Sequence, residues 1–185
     1  MTNVEAGDEK KRWFAMRVTY QRELIAKEKL DSLGIKNFVP TQRIKKTDNN
    51  GKVVWKKVSA LHNYIFIHST RAEVDDIKKY KIPWLRYIMS HSCRDSKEPL
   101  SVPDKEMLNF MAVAGKEEEK IIFLGENEIN LTAGDKVRIL SGPFEGVEGV
   151  FVRLKEKGAG RVVVRIEGVA AVATAAIASR LVEKI

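Results

Sequence analysis

The sequence predicts an α+β chain in two pieces: an antiparallel sheet flanked by helices, followed by a small β-barrel. Three observations predict it. Over roughly the first 110 residues, short aromatic-rich or apolar runs are interleaved with apolar stripes at helical spacing, the pattern of helices packed on a sheet. Beyond residue 130 the helical period is lost, and short β-branched runs alternate with glycine-containing turns. Between the two, the charge changes: residues 1–116 hold 23 Lys/Arg against 14 Asp/Glu, net +9, while residues 117–185 hold 10 against 11, net −1.

Residues 1–10 are polar and are expected to be disordered, without the apolar core of a secretory signal. The first domain, 11–116, opens with Trp13-Phe14-Ala15-Met16-Arg17-Val18, a strand pattern. Ala26, Leu30 and Leu33 follow at i, i+4 and i+7, with Ile25 flanking them, which predicts a helix capped by Gly34. Phe38-Val39-Pro40 starts an extended segment. Asp48-Asn49-Asn50-Gly51 predicts a hairpin turn with positive φ at both central residues, joining arms at 42–47 and 52–58. Tyr64-Ile65-Phe66-Ile67 is apolar on both faces and predicts a central strand. In it Ile65 and Ile67 point one way, and Tyr64 and Phe66 the other. Residues 73–80 predict a second helix and 85–89 another strand. Pro103 suits the start of a third helix, whose stripe is Met107, Phe110, Met111 and Ala114.

Residues 117–130 are read as a linker, crossed by an apolar patch at 121–124 that either runs free or docks on one of the domains. In the second domain, 131–185, three strands are expected at 136–140, 147–154 and 161–166, separated by Ser141-Gly142-Pro143 and Lys157-Gly158-Ala159-Gly160. The closing segment, 170–185, contains an alanine-rich run at 170–178 that favours helix on intrinsic propensity. Strand is expected there nonetheless, because propensity yields to packing.

Composition excludes several function classes. With 44% hydrophobic and 31% charged residues the chain is of ordinary globular character. No run of about 18 apolar residues occurs, so no membrane span is expected. A single cysteine, Cys93, and three histidines argue against disulfides and structural zinc, and favour a cytoplasmic location. No nucleophile elbow, phosphate loop or dinucleotide glycine pattern is found. His91-Ser92-Cys93 is a poor catalytic candidate, because adjacent residues seldom reach hydrogen-bonding geometry. No enzyme activity and no cofactor are expected.

Two surfaces carry the functional signal. Residues 43–57 contain Arg43, Lys45, Lys46, Lys52, Lys56 and Lys57 against one acid, Asp48. Such an arm can lie along phosphates, with Trp55 stacked on a base. An exposed hairpin also uses charge to prevent edge pairing, and both readings stand. Lys78, Lys79 and Lys81 form a smaller basic cluster. The second surface is apolar: Tyr64, Phe66, Tyr87, Met107 and Phe110 exceed what one core needs and are expected to share a protein-binding patch unless helices cover both faces.

The run from Ala133 to Val152, with Gly134-Asp135 turning into a strand and Gly142-Pro143 and Gly146 bending the chain over Phe144, resembles a KOW motif. With that motif in place, Trp13-Phe14-Ala15, Asn63-Tyr64-Ile65-Phe66-Ile67 and Pro99-Leu100-Ser101-Val102-Pro103-Asp104-Lys105-Glu106 make the first domain similar to the N-terminal (NGN) domain of the NusG family. His62-Asn63 before Tyr64, where housekeeping members show Pro-Gly, resembles the specialised paralogues such as RfaH, and Leu61-His62-Asn63 together with the Lys-rich hairpin is most similar to the UpxY antiterminators of capsular polysaccharide operons.

The resemblance implies a monomeric adapter on elongating RNA polymerase that suppresses pausing or termination. It implies that Leu61, Tyr64, Phe66, Tyr87, Met107 and Phe110 receive the polymerase clamp helices, with Arg17 where relatives often carry an aromatic. It implies that Lys78, Lys79 and Lys81 contact the non-template DNA strand; the nucleic-acid reading of Lys45, Lys46, Lys56 and Lys57 rests on the charge of the hairpin. It also implies that Phe144, exposed on its loop, meets Rho or a small ribosomal-subunit protein. A general NusG factor and an RNA- or ribosome-binding KOW protein are the alternatives. The stable form of the second domain is expected to be β.

Overall fold

The computed structural model describes residues 10–90, 98–116, 120–125, 134–153 and 160–185. The chain divides into two compact units, Met1–Val39 with His62–Asp104, and Pro40–Leu61 with Lys105–Ile185. His91-Ser92-Cys93, Ala133, most of the 157–160 turn and parts of the 117–130 segment lie outside the described residues.

In the first unit, β1 (Arg12–Val18) holds the sheet together. One edge of it pairs along its length with β5 (Tyr64–Ser69), from Arg12↔Ser69 to Arg17↔Tyr64. The other edge is shared by β6 (Leu85–Tyr87) and β7 (Ser101–Val102). β2 (Asn37–Phe38) pairs with the far side of β5, so the order is β2-β5-β1-β6 and every pairing is antiparallel. The expected central strand at 64–67 is therefore interior. α1 (Glu23–Ser32) and α2 (Arg71–Asp76), the latter running on through a π-helical turn at Ile77–Lys81, cover one face. The core there contains Phe14, Met16 and Val18 of β1, Ile65 and Ile67 of β5, and Ala26, Leu30, Val74 and Ile77 of the helices. Period-two alternation thus sends Ile65 and Ile67 inward, as expected.

The α1 stripe departs from the prediction. Ala26 and Leu30 are buried, but Ile25 and Leu33 are exposed and the third buried residue is Glu23. The helix ends one residue earlier than a stripe through Leu33 requires. Ile35 N–H donates to Leu30 O at 2.9 Å and Gly34 N–H to Asp31 O at 3.0 Å, with Gly34 at φ +69°, so the chain turns away before Leu33 reaches the core.

In the second unit, β3 (Thr41–Thr47) and β4 (Val53–Ser59) form a separate two-stranded sheet. Its turn differs from the expected one. Only Gly51 has positive φ, +79°. Gly51 N–H donates to Asp48 O at 3.1 Å and Asp48 N–H to Lys52 O at 2.9 Å, giving a longer loop with a glycine bulge. The Asp48 carboxylate accepts from the N–H groups of Asn50 and Lys52, both at 2.9 Å, and this side-chain cap favours the longer turn.

α3 (Asp104–Ala114) buries Met107, Phe110, Val113 and Ala114. The remaining strands form one antiparallel sheet. They are β8 (Ile122–Gly125), β9 (Asp135–Ile139), β10 (Glu148–Arg153), β11 (Gly160–Ile166), β12 (Ala170–Ala173) and β13 (Val182–Lys184), in the order β13-β9-β10-β11-β12-β8. The apolar patch in the connecting segment is thus β8, paired with β12 from Ile122↔Ala173 to Gly125↔Ala170. The alanine-rich run is strand, as expected, over Ala170–Ala173, where every residue is buried between two neighbouring strands. Gly149 is required by close approach: a Cβ there would stand 2.5 Å from Val163 O.

Candidate functional site

The face of the first sheet opposite α1 and α2 carries Trp13, Ala15 and Arg17 of β1 beside His68, Phe66 and Tyr64 of β5. Arg17 lies over the Tyr64 ring at 5.6 Å and its Nη2 donates to Tyr64 Oη at 3.4 Å. Trp13 and His68 stack tilted at 5.1 Å. Burial pushes the His68 imidazole below its ordinary pKa, and the Lys36 charge adds to this.

The expected apolar docking patch is not open in this conformation. Phe66, Met107 and Phe110 are fully buried and Leu61 nearly so, while Tyr64 is half-buried. Nor does Tyr87 join them. It pairs with Met16, which puts it on the helix-covered face, packed edge-on against Phe14 at 5.7 Å with its hydroxyl donating to Arg71 O at 3.5 Å. A strand's side alternation is legible in sequence, but which neighbour a strand pairs with, and so which side Tyr87 takes, is not. Phe144, expected at an exposed loop tip, is also buried, at 4%. The loop itself folds tightly: Gly146 N–H donates to Ile139 O at 2.8 Å and Glu145 N–H to Gly142 O at 3.1 Å.

The basic hairpin is exposed from Gln42 to Lys57 except at Asp48. Its register pairs Arg43 with Lys57, Lys45 with Trp55 and Lys46 with Val54. Opposed residues share a face and successive residues alternate, so Arg43, Lys45, Trp55 and Lys57 lie on one side, and Lys46 and Lys56 on the other with Ile44 and Val54. Of the 78–81 cluster, Lys79 and Lys81 are exposed. Lys78 is engaged instead, over the Tyr87 ring at 4.0 Å and 3.5 Å from Asp75.

A turn that the sequence reading passed over joins β1 to α1. Tyr20 and Gln21 have φ of 60° and 52°, and Asn63, which faces them, has φ 68°. Each such non-glycine residue costs about 1–3 kcal/mol. Asn63 holds the turn: Gln21 N–H donates to its Oδ1 at 3.2 Å and Val18 N–H to its O at 2.9 Å, while its own N–H donates to the buried Glu23 carboxylate. The strained turn presents Tyr20, 82% exposed, beside Arg22, which also lies over Trp84 at 5.6 Å. The signal in the sequence was Asn63, a residue type that tolerates the left-handed region.

In the second unit, Glu148 of β10 is gripped by Lys105 at 2.6 Å and Arg138 at 2.9 Å, and its N–H donates to Asn109 Oδ1 at 3.3 Å. Lys105 first, and then Arg138, hold its carboxyl below the ordinary range. Glu148, Lys105 and Asn109 border a recess of about 360 Å³ that is also lined by Glu106 and Glu167. Burial first, and the Glu167 charge second, push Glu106 upward. Among the described residues there is no group of three His, Cys, Asp or Glu able to hold a metal ion, and no helix long and apolar enough to cross a membrane.

The geometry is that of aromatic and basic surfaces on a sheet scaffold. Residues 11–111 match a family model described as NusG, transcription termination factor. No curated protein matches the chain. The chain is similar to a solved structure entitled "Domain interaction in Thermotoga maritima NusG", with 23% identity over 97% of this chain and 99% of that one, at a TM-score of 0.47. The family match spans more than half of the sequence and the whole of the first sheet with its helices, and the chain belongs to the NusG family of transcription factors.

Proposed function

We propose that this chain is a transcription elongation and antitermination factor that binds RNA polymerase through its N-terminal domain, 11–116, and acts by binding alone. The observation that carries this is the family match over 11–111, which takes in Arg17, Tyr64 and Phe66 on the face of the sheet opposite α1 and α2. An adapter with higher affinity for the closed than the open polymerase shifts that equilibrium without making or breaking a bond. Tyr64, with Arg17 laid over it, is the half-exposed member of the proposed clamp-helix contact. Contact through Leu61, Phe66, Met107 and Phe110 requires that these buried side chains first be uncovered. Tyr87, on the opposite face, is left out of the contact.

The proposed specialised, operon-restricted role rests on His62-Asn63 before Tyr64. The hairpin cations, with Lys79 and Lys81, are proposed to contact nucleic acid, non-template DNA among them. The second domain, 131–185, joined by the 117–130 segment, is proposed to meet a protein, Rho or a small ribosomal-subunit protein, which its net charge of −1 over 117–185 suits better than RNA. Polymerase pull-down with the wild type and with Tyr64→Ala tests the docking: loss in the variant is expected, and equal recovery of polymerase overturns it. Occupancy across the genome tests the specialised role. Confinement to a few long transcription units is expected, and a uniform profile means a general factor.

A further inference from the structure

We infer that Asn63 is a positioning residue for the polymerase contact: its backbone and its side-chain oxygen clasp the open end of the β1–β5 ladder and so hold Tyr64, with Arg17 over it, in the conformation the partner meets. The inference rests on the reading of Tyr64 as a contact residue given above, and adds a residue that acts through Tyr64 without touching the partner.

The ladder between β1 and β5 runs from Arg12↔Ser69 to Arg17↔Tyr64, so the pair that carries the half-exposed Tyr64 ring is its last. The end of a ladder opens more readily than its middle, because no further pair lies beyond it. Here the end is closed by a different device. Val18 N–H, one residue past Arg17, donates to Asn63 O at 2.9 Å. Gln21 N–H, in the turn that follows, donates to Asn63 Oδ1 at 3.2 Å. Asn63 N–H in turn donates to the buried carboxylate of Glu23, the first residue of α1. One residue therefore ties the end of β1, the turn and the start of α1 together, and that residue is bonded directly to Tyr64.

The clasp works against backbone strain. Tyr20, Gln21 and Asn63 have φ of 60°, 52° and 68°, all in the left-handed region. Asparagine enters that region readily, whereas tyrosine and glutamine do so only where their surroundings over-determine them. The bonds to Asn63 O and Oδ1 supply that determination at Val18, before the strained pair, and at Gln21 within it. A glycine at 63 could take the same φ and keep both backbone bonds, but Gln21 N–H would lose its acceptor. The turn would then relax, and the strand end bearing Arg17 and Tyr64 would loosen with it. Because Arg17 Nη2 donates to Tyr64 Oη at 3.4 Å, the ring and its cation move as one. A contact held ready in this way spares the partner the cost of ordering it.

The test uses the full chain and purified RNA polymerase, with affinity, amide exchange and thermal midpoint read on the same variants. Asn63→Gly removes Oδ1 alone. It is expected to weaken polymerase binding about fivefold and to speed amide exchange at Val18 and Gln21 about tenfold. Its thermal midpoint should stay within about 3 °C of wild type, since the core is untouched. Asn63→Asp keeps an accepting oxygen in place and is expected to restore affinity to within about twofold of wild type. In the Tyr64→Ala background, Asn63→Gly is expected to cause no further loss, because coupled residues are not additive. Asn63→Gly binding as tightly as wild type overturns the inference. So does Asn63→Asp binding as weakly as Asn63→Gly, or an undiminished further loss in the Tyr64→Ala background. Wild-type affinity in Tyr64→Ala itself is a separate result, which removes the contact reading and the inference with it.

Discussion

Arg17 and Tyr64 meet because they are register partners across β1 and β5, on the face of the sheet opposite α1 and α2. Tyr64→Ala is expected to weaken polymerase binding by more than about 2 kcal/mol, as an aromatic anchor does. It should leave the denaturation midpoint close to wild type, because the side chain is only half-buried. Phe66 is the contrast. It is fully buried, and Phe66→Ala is expected to cost about 3–5 kcal/mol of folding stability in a denaturant titration, so lost binding in that variant would report unfolding. Glu148 gives a pH dependence with a definite sign. Its carboxyl sits below its ordinary value of 4.5 because of Lys105 and then Arg138, so the native chain binds fewer protons than the unfolded chain. Its contribution is complete above 4.5 and is lost as the pH falls through the lowered value. The difference in thermal midpoint between wild type and Glu148→Gln should therefore be constant near neutrality and vanish on acidification. A difference that grows as pH falls would contradict the ion pairing.

Among the elements, the hairpin and β12 show the two ways local sequence meets its surroundings. The hairpin is specified locally: Asp48 caps its own turn through two backbone N–H groups, and Gly51 supplies the one left-handed residue. Gly51→Val puts a β-branched side chain at φ +79° and is expected to cost about 1–2 kcal/mol, read as roughly tenfold faster amide exchange across Thr41–Ser59 with little change elsewhere. β12 is specified from outside. Its alanines favour helix alone, yet β11 and β8 pair with both of its edges and bury it completely. Ala171→Lys is expected to unfold the second unit or cost more than about 3 kcal/mol, by burying an unpaired charge. Ala176→Lys, exposed three residues past the strand, should stay within about 0.5 kcal/mol of wild type. Similar effects from both would mean that β12 is not held as described.

At the scale of the whole molecule, the sequence by itself determined the α+β class, the family, and most elements to within two or three residues. The signals for these are local: aromatic and β-branched runs, the Gly34 cap, Asp48 to Gly51, and the glycine-dotted run before Val152. It also determined which residues are basic and which apolar. Only the tertiary structure decided which of those residues stand together. Pairing of β6 with β1 turned Tyr87 toward the helices, and the hairpin register divided one basic run into two faces. Burial closed over Phe66, Met107, Phe110 and Phe144, and β8 was drawn from the connecting segment into a sheet. The physical reason is the same throughout. Strand and helix tendencies act between near neighbours in the chain, whereas register and burial depend on residues tens of positions away, and a strand's side chains change face with every single step of register.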